Sequence, residues 1–519
     1  MLEMGDPPLK AVGSLQIQPE RALGWITLGS SLYHVITRLK ASPEQFPTLE
    51  ISYTPSTPLS NPVILSLASN GLRLRFDGPD QRLRLIEILD FSLVAVTYKN
   101  IDLVRRTKSS EEANIEDPTQ LGPSFKHVYN RLFGPTYAGE YIQPLSGKTT
   151  GTYVLSYPGL AFTFPVKHKS WSDKVDFVSL LSSNATGPAL SMAIFSGNSW
   201  TEARTTLYNK TPTLPRMPTI GGKLGEVTPD EVEEVRVLGG GKLELVRRSL
   251  APFAMTLNET TPQDIVAELG PPDAIYRKHD RRISIHATGH PVRRRVSMSP
   301  GLDPQAIDTD QSSIQSYTED SDIEAESRED KTGDSTDECF YNYLNHGFDI
   351  LIARPNNKSA PFPGGAAADS VSWNSSALLV ATKIFLHGNV PGSFSFNRHR
   401  RSRWVIRTSN ESQGSVLTSE MKFQEISSAL KDLWRDSYKD EHEEKQMQRG
   451  MVLNRGWEES PESSIELLGD MEESPTRETA IDSFSADGNG GLSNTELFGF
   501  PGLLFEVLKN DTISCLTVF

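Results

Sequence analysis

The chain has 519 residues, of which 37% are hydrophobic and 23% charged, a composition typical of a globular protein with two to four domains. No apolar run approaches the ~20 residues of a membrane-spanning helix, and the N-terminus lacks the basic and apolar regions of a secretory signal. We therefore expect a cytoplasmic protein without a transmembrane segment. The net charge of −14 disfavours nucleic-acid binding, and two cysteines are too few for a cysteine-based zinc site.

The negative charge is concentrated in one segment. Residues 301–338 carry thirteen acidic and two basic side chains, a net charge of −11. A segment with few aromatic residues and this much charge does not bury enough apolar surface to offset its ordering entropy. We predict a disordered insert that is dispensable for folding.

Four short helices are predicted, each from apolar residues spaced three or four apart. Ser30 or Ser31 caps the first helix, Gly134 ends the second, and Thr261 with Pro262 begins the third. Their apolar positions are Leu32, Val35, Ile36 and Leu39; Phe125, Val128, Tyr129 and Leu132; Ile265, Val266 and Leu269; and Phe423, Ile426, Leu430 and Leu433.

A short strand pattern follows each predicted helix: glycine, then apolar residues at alternate positions. It occurs as GLRLRF, GLAFTF, GFDILI and GLLFEV, at residues 71–76, 159–164, 347–352 and 502–507. Alternation behind a glycine indicates a half-buried strand that leaves a tight turn. We expect the last residue of each pattern to be buried: Phe76, Phe164, Ile352 and Val507.

These elements predict an α+β fold of repeated helix plus antiparallel hairpin or meander units, with long disordered inserts. The predicted units cover residues 15–110, 120–250, 251–408 and 415–519. The third contains an insert at 287–338 and the fourth an insert at 440–496, both too long for ordered loops in a compact domain.

The sequence contains none of the common motifs for nucleotide binding, hydrolysis or metal catalysis. The run LGGGK at 238–242 lies between two predicted strands, which favours a hairpin turn over a phosphate loop. His279, His286 and His290 lie among arginines, which disfavours a metal site. We therefore predict no catalytic, cofactor-binding or metal-binding residues and no enzyme activity, although an enzyme with an unfamiliar fold stays open as the alternative.

One motif predicts a modification. RRRVS, Arg293 to Ser297, has the basic spacing that basophilic kinases favour, so Ser297 is a candidate phosphorylation site. A plain solvated loop is the alternative interpretation.

The stretch FLHGNVPGSFSFNRHRR, residues 385–401, predicts a strand, a turn at Gly/Pro, a second aromatic strand and then a turn. We expect this turn to project Arg398, Arg400, Arg401 and Arg403 into solvent together. The cluster is a candidate contact for phosphate or an acidic partner, since guanidinium groups suit phosphate. The alternative is a charged loop that protects a sheet edge. We expect replacement of all four by Glu to leave the fold intact.

Several blocks together resemble the phagosome assembly factor family. They include TPLSNPVILSLASNGLRLRFDGPDQRLRLIEI, CFYNYLNHGFDILI, FLHGNVPGSFSFNRHRR and FGFPGLLFEVLKNDTISCLTVF, in order along the chain. The resemblance extends from about residue 15 to 519, apart from the inserts and a diverged middle.

The resemblance implies a non-enzymatic trafficking factor, a scaffold or adaptor that acts with a β-propeller autophagy protein. It implies a peripheral location at the phagophore assembly site, on membranes that contain phosphoinositides. It also implies an alternative role at the trans-Golgi network, in transport to the plasma membrane. The family has no described catalytic residues, so none is carried over.

Overall fold

The computed structural model describes residues 14–104, 122–144, 148–172, 174–208, 230–277, 338–355, 379–407, 416–435, 450–453 and 495–519. Within them the chain forms six α-helices and many short strands, mostly antiparallel, so the protein is α+β and predominantly β. The candidate residue Ser297, the three clustered histidines at 279–290 and nearly all of the acidic segment lie outside the described residues.

The first half of the chain forms two sheets. Its strands are β1 (Leu15–Gln18), β2 (Ala22–Leu23), β3 (Ile26–Thr27), β4 (Glu50–Ser52), β5 (Val63–Leu67), β6 (Leu72–Phe76), β7 (Leu83–Ile88), β8 (Val96–Tyr98), β9 (Ile101–Asp102), β10 (Glu140–Ile142), β11 (Thr150–Tyr157), β12 (Leu160–Lys167) and β13 (Ser191–Ile194). Five strands form a sheet in the order β3-β2-β1-β8-β9, and eight form a sheet in the order β10-β11-β12-β13-β7-β6-β5-β4.

The second half forms two sheets of the same sizes. Its strands are β14 (Val232–Gly239), β15 (Lys242–Arg247), β16 (Phe253–Thr256), β17 (Ala274–Arg277), β18 (Cys339–Tyr343), β19 (Phe348–Ala353), β20 (Val380–His387), β21 (Trp404–Ile406), β22 (Leu417–Thr418), β23 (Met451–Leu453), β24 (Thr495–Phe500), β25 (Leu503–Leu508) and β26 (Ile513–Val518). The orders are β16-β15-β14-β21-β22 and β17-β18-β19-β20-β26-β25-β24-β23. Strand for strand, this repeats the arrangement of the first half.

Each five-stranded sheet contains one parallel pair. β1 runs parallel to β8, and β14 runs parallel to β21. Antiparallel pairs such as β7 with β13 and β20 with β26 join two four-stranded meanders into each eight-stranded sheet. Glycines 239–241 form the predicted turn between β14 and β15, so LGGGK is a hairpin and not a phosphate loop.

The helices of the described residues are α1 (Leu32–Lys40), α2 (Phe125–His127), α3 (Phe177–Leu181), α4 (Trp200–Thr206), α5 (Pro262–Leu269) and α6 (Phe423–Trp434). α1, α5 and α6 lie close to the predicted positions, α2 begins as predicted but is shorter, and α3 and α4 were not predicted. Ser31 caps α1 and Thr261 caps α5, as the sequence predicted. At α5 the Asp264 side chain completes a capping box. α2 is a single turn that continues into a π-helical turn at Val128–Leu132.

The four glycine-led strands lie in the two main cores. They are β6, β12, β19 and β25, and the preceding glycines all have positive φ, between +62° and +87°. Phe76, Phe164 and Ile352 are 0% exposed and Val507 is 5% exposed, which confirms the predicted burial. The pattern therefore marks the third strand of each four-stranded meander, directly after a left-handed turn that favours glycine.

The predicted second aromatic strand in residues 385–401 is wrong. β20 ends at His387, and residues 391–399 form turns instead of a strand. Asn389 and Asn397 have positive φ, which breaks the extended conformation. Phe396 turns away from the sheet and packs against the core of the first half.

Candidate functional site: the junction of the two halves

Two loops that belong to the family-like blocks meet in space. The first, residues 77–82, joins β6 to β7, and the second, residues 388–403, joins β20 to β21. A small apolar cluster of Leu59, Val390 and Leu508 is buried beside them. We call these two loops and the charged residues that they contact the junction.

Arg401 binds both halves of the chain from a buried position. Its side chain donates to the carbonyl oxygen of Pro79 at 2.7 Å and to that of Gly388 at 2.9 Å. It also pairs with Glu420 at 3.3 Å and donates to Ser419 Oγ at 3.2 Å. The guanidinium is 1% exposed, so its donors are used inside the protein.

Arg403 forms a second link across the junction. It pairs with Asp80 of the first half at 2.7 Å and with Glu420 of the second half at 2.9 Å. Its side chain is 38% exposed, so solvent weakens this pair more than the contacts of Arg401. Burial by itself would raise the pKa of Glu420, but Arg401 and Arg403 together hold that pKa below its usual value.

Arg400 contributes to a third charged group. Glu231 pairs with Arg82 of the first half at 2.7 Å and lies 3.7 Å from Arg400. Burial opposes the ionised carboxylate, yet Arg400 and Arg82 lower the pKa of Glu231 to about 2. Burial, with the charge of Arg82, lowers the pKa of Arg400 to about 10, so it stays protonated near neutral pH.

The expectation that four arginines project into solvent together is therefore wrong for two of them. Arg400 and Arg401 are 6% and 2% exposed, because carboxylates and carbonyls from distant parts of the chain surround them. Arg398 is exposed, with its guanidinium 4.5 Å from the centre of the Phe394 ring. Contact of this cluster with an external phosphate or acidic partner stays a prediction.

A histidine–aspartate cluster lies beside the arginines. His387 Nε2 is 2.9 Å from one carboxylate oxygen of Asp349, and His399 Nε2 is 3.0 Å from the other. The two imidazole rings stack with centroids 3.8 Å apart and planes inclined by 18°. The sequence analysis missed this cluster, because Asp349 is 38 and 50 residues from its partners.

Two imidazoles and a carboxylate are a ligand set that Zn²⁺ accepts, but this geometry fits hydrogen bonds better. A metal lies in the plane of each imidazole that binds it, about 2.0–2.1 Å from the nitrogen. The rings of His387 and His399 are nearly parallel and stacked, so no single point lies in both planes at that distance. The rings would have to swing apart before both could bind one ion.

The protonation of the cluster follows from its burial. Burial and the nearby His399 lower the pKa of His387, although Asp349 partly offsets this. Burial opposes the charge on Asp349, but hydrogen bonds from both histidines lower its pKa to about 2. Asp349 is therefore a constant negative charge that orients the two rings.

The fold and the junction together define a class of protein: a mostly antiparallel α+β protein of two similarly built halves, joined by buried arginine–carboxylate contacts. Within the described residues, no helix is long and apolar enough to cross a membrane. The model of the family described as phagosome assembly factor 1 matches residues 22–300 and 312–519. The chain belongs to this family, which confirms the resemblance seen in the sequence.

Relatives from distant organisms support the assignment. A PHAF1 protein of Arabidopsis thaliana is 24% identical over 97% of this chain and 92% of its own length. A PHAF1 protein of Drosophila melanogaster is 22% identical over 97% of this chain and 94% of its own length. No solved structure matches the chain.

Proposed function

We propose that the protein is a non-enzymatic scaffold or adaptor in phagosome and autophagosome assembly. In this proposal it acts with a β-propeller partner at phosphoinositide-containing membranes of the phagophore assembly site. The observation that carries the proposal is the family match over most of the chain. A scaffold needs surfaces for partners, and the buried charged groups of the junction pair with one another, which holds the two halves together.

An exposed sheet edge supports a protein partner. β17 is an edge of its eight-stranded sheet, and its Ile275 and Tyr276 are 57% and 63% exposed. Exposed apolar edges favour addition of a strand from another chain, which supplies main-chain hydrogen bonds and side-chain pockets. We assign the propeller contact to this edge.

Affinity purification from cell lysate with mass spectrometry tests the partner. We expect a β-propeller protein to co-purify with the native chain and not with the double variant Ile275→Lys/Tyr276→Lys. Leu238→Lys is the matched control, because Leu238 is an exposed apolar residue in a different sheet. Equal recovery of the propeller protein with the edge variant would contradict the assignment of the contact to β17. If no propeller protein co-purifies with the native chain, the proposed partner is wrong.

Because Arg400 and Arg401 are buried, the proposed membrane contact now depends on the exposed residue of the arginine cluster, Arg398. Arg398 is exposed, and one basic residue near an anionic membrane contributes ~1 kcal/mol, enough to assist a docked partner. We expect Arg398→Glu to lower flotation with phosphatidylcholine liposomes that contain a phosphoinositide, measured with the partner present. Arg398→Gln should have an intermediate effect, and unchanged flotation of both variants would exclude this residue as a contact.

We also propose that the chain is a fourfold series of helix-plus-meander units at 15–110, 120–250, 251–408 and 415–519. Support comes from the positions of α1, α2, α5 and α6, each of which precedes four antiparallel strands. The positive φ of all four patterned glycines also supports a common origin.

A further inference from the structure

One end of the first eight-stranded sheet is rich in lysine. β11 and β12 pair along their whole length, with Thr150 opposite Lys167, so the residues before β11 and after β12 meet at this end. The His168 N–H donates to the carbonyl oxygen of Thr149 at 3.0 Å, which holds the two connections together. The lysines of these connections are all exposed: Lys148, Lys167, Lys169 and Lys174.

These lysines have little opposing charge around them. Residues 141–176 contain four lysines and two aspartates, in a chain with a net charge of −14. Among the residues that the structure describes, no carboxylate pairs with any of the four lysines. Glu140 pairs with Arg204 at 3.0 Å, and Asp176 accepts hydrogen bonds from the N–H and hydroxyl of Ser179. The lysines therefore present positive charge to solvent.

Stacked aromatic rings hold this end of the sheet in place. Tyr141 stacks on Trp171 with ring centroids 4.2 Å apart, and its hydroxyl lies 2.9 Å from His168 Nδ1. The rings meet because residue 151 is glycine, where a β-carbon would collide with the Tyr141 hydroxyl. Trp171 lies 5.9 Å from the ring of Tyr153, which is buried in the first core. The backbone that carries the lysines is thus anchored to the core.

Two apolar side chains are exposed among the lysines. Ile142 ends β10 opposite Thr152, at the same end of the sheet, and is 44% exposed. Val175 directly follows Lys174 in a turn closed by a hydrogen bond to the Ser172 carbonyl at 3.0 Å, and is 42% exposed. Lysines beside exposed apolar residues suit a bilayer, whose anionic headgroups lie directly above hydrocarbon. We call the four lysines with Ile142 and Val175 the basic surface.

The shared topology of the two halves does not require a basic surface here. In the second half β24 and β25 take the places of β11 and β12, and Thr495 opposite Leu508 lies at the corresponding end. The charged residues around that end are mixed in sign: Lys431, Lys509, Glu496 and Asp511. The excess of lysine is therefore a property of the first half's own sequence.

We propose that the basic surface binds directly to an anionic lipid bilayer, with its lysines at the headgroups and its two apolar residues at the hydrocarbon boundary. Each lysine near an anionic membrane raises partitioning about fivefold, which corresponds to ~1 kcal/mol. Lysine is a compact point charge without the planar fork of arginine, so the surface responds to charge density more than to headgroup identity. The inference rests on the membrane association in the proposed function, but it assigns a second surface that acts without a partner.

Liposome flotation with the full chain alone tests the proposal. The native chain should float with liposomes of phosphatidylcholine and phosphatidylserine and not with phosphatidylcholine alone. Lys167→Gln/Lys169→Gln should weaken binding by about 25-fold, fivefold for each lost charge. Lys242→Gln/Lys509→Gln is the matched control, because it removes two exposed lysines from the second half. Equal losses for the two double variants, or native binding to uncharged liposomes, would overturn the proposal.

A second pair of variants separates a bilayer from an acidic protein or a nucleic acid. Ile142→Ser should lower binding several-fold, because Ile142 reaches the hydrocarbon boundary. Ile101→Ser is the matched control, since Ile101 is also 44% exposed but lies in the five-stranded sheet. An effect of the lysine variant without any effect of Ile142→Ser would indicate attraction by charge alone and would contradict contact with a bilayer.

The lipid composition distinguishes this proposal from recruitment by a partner. Liposomes of equal net charge made with phosphatidylserine or with a phosphoinositide should bind the chain alone about equally well. Raising the salt from about 0.1 M to about 1 M should release the chain, because the screening length falls from about 10 Å to about 3 Å. Flotation that appears only when the partner is added would overturn the basic surface and leave the proposed function in place. Flotation of the chain alone without any propeller protein in the purification would do the reverse.

Discussion

Gln81 and Asn389, 308 residues apart, exchange two hydrogen bonds across the junction. Gln81 Nε2 donates to the main-chain oxygen of Asn389, and Asn389 Nδ2 donates to Gln81 Oε1, both at 2.8 Å. Gln81 and Asn389 are 1% and 2% exposed, so water does not compete for these hydrogen-bonding groups. The pair shows that the two loops fit each other at the level of single amide groups.

We predict that Gln81→Met destabilises the protein by about 1–3 kcal/mol, because it leaves the amide and carbonyl of Asn389 buried without partners. Denaturant unfolding monitored by circular dichroism measures the change. Asn61→Ala is the control: it removes an exposed hydrogen bond from the Asn61 side-chain amide to Thr57 Oγ1 and should cost less than ~0.5 kcal/mol. Equal losses for the two variants would mean that the junction bonds are not protected from water.

The arginines of the junction should differ sharply in their effect on stability. Arg401→Met should cost about 3–5 kcal/mol, because Glu420 loses a buried partner and the carbonyl oxygens of Pro79 and Gly388 lose their donor. Arg398→Met should change the free energy of unfolding by less than ~0.5 kcal/mol. The burial of Arg400 and Arg401 also corrects the expectation that replacement of all four arginines by Glu leaves the fold intact. Thermal unfolding of the two single variants, Arg401→Met and Arg398→Met, measures this difference. Similar melting points would contradict the buried contacts of Arg401.

Truncation of Phe76 or Phe164, the phenylalanines that end two of the glycine-led strand patterns, should be among the most destabilising changes in the core. Phe76→Ala or Phe164→Ala should each cost ~3–5 kcal/mol, since each side chain is completely buried within the first core. Leu238→Ala is the control, because Leu238 is 46% exposed in a hairpin. Chemical denaturation gives all three values, and a loss below ~1 kcal/mol at both phenylalanines would show that the core tolerates cavities there.

Stability should fall between pH 6.5 and pH 4, partly through His346. Burial, with the charge of Arg400, lowers the pKa of His346 to about 4, and its Nδ1 accepts a hydrogen bond from the Val232 N–H. In the unfolded chain a histidine takes up its proton near pH 6.5, so acidification through this range favours unfolding, by up to about 3 kcal/mol. Below pH 4 both states hold the proton and this contribution stops growing.

The variant His346→Asn isolates this effect. Asparagine keeps an acceptor but does not titrate, so its stability should depend less on pH between 6.5 and 4. Glu231 and Asp349, with pKa values of about 2, contribute instead as the pH falls from about 4 to 2, because a lowered carboxyl pKa stabilises the fold above that range. Identical pH profiles for the native chain and His346→Asn between pH 6.5 and 4 would exclude His346 as a source of acid sensitivity.

The sequence by itself determined where many of the local helices and strands lie and which face of each is apolar. The apolar residues of α1 and α6 recur at helical spacing, and Thr261 with Pro262 marks where α5 begins, so short-range rules place these helices. The glycine-led strands were equally readable, because a left-handed turn and period-two alternation are properties of consecutive residues.

Only the tertiary structure decided which charged residues are buried and which groups they pair with. Arg400 and Arg401 read as a solvated turn, yet Glu231, Glu420 and Pro79, all distant in sequence, surround them. Asp349 and its two histidines, distant from one another in sequence, converge in the same way. Local periodicity reports which face of an element is apolar, whereas the pairing of charges depends on which loops the packed sheets bring together.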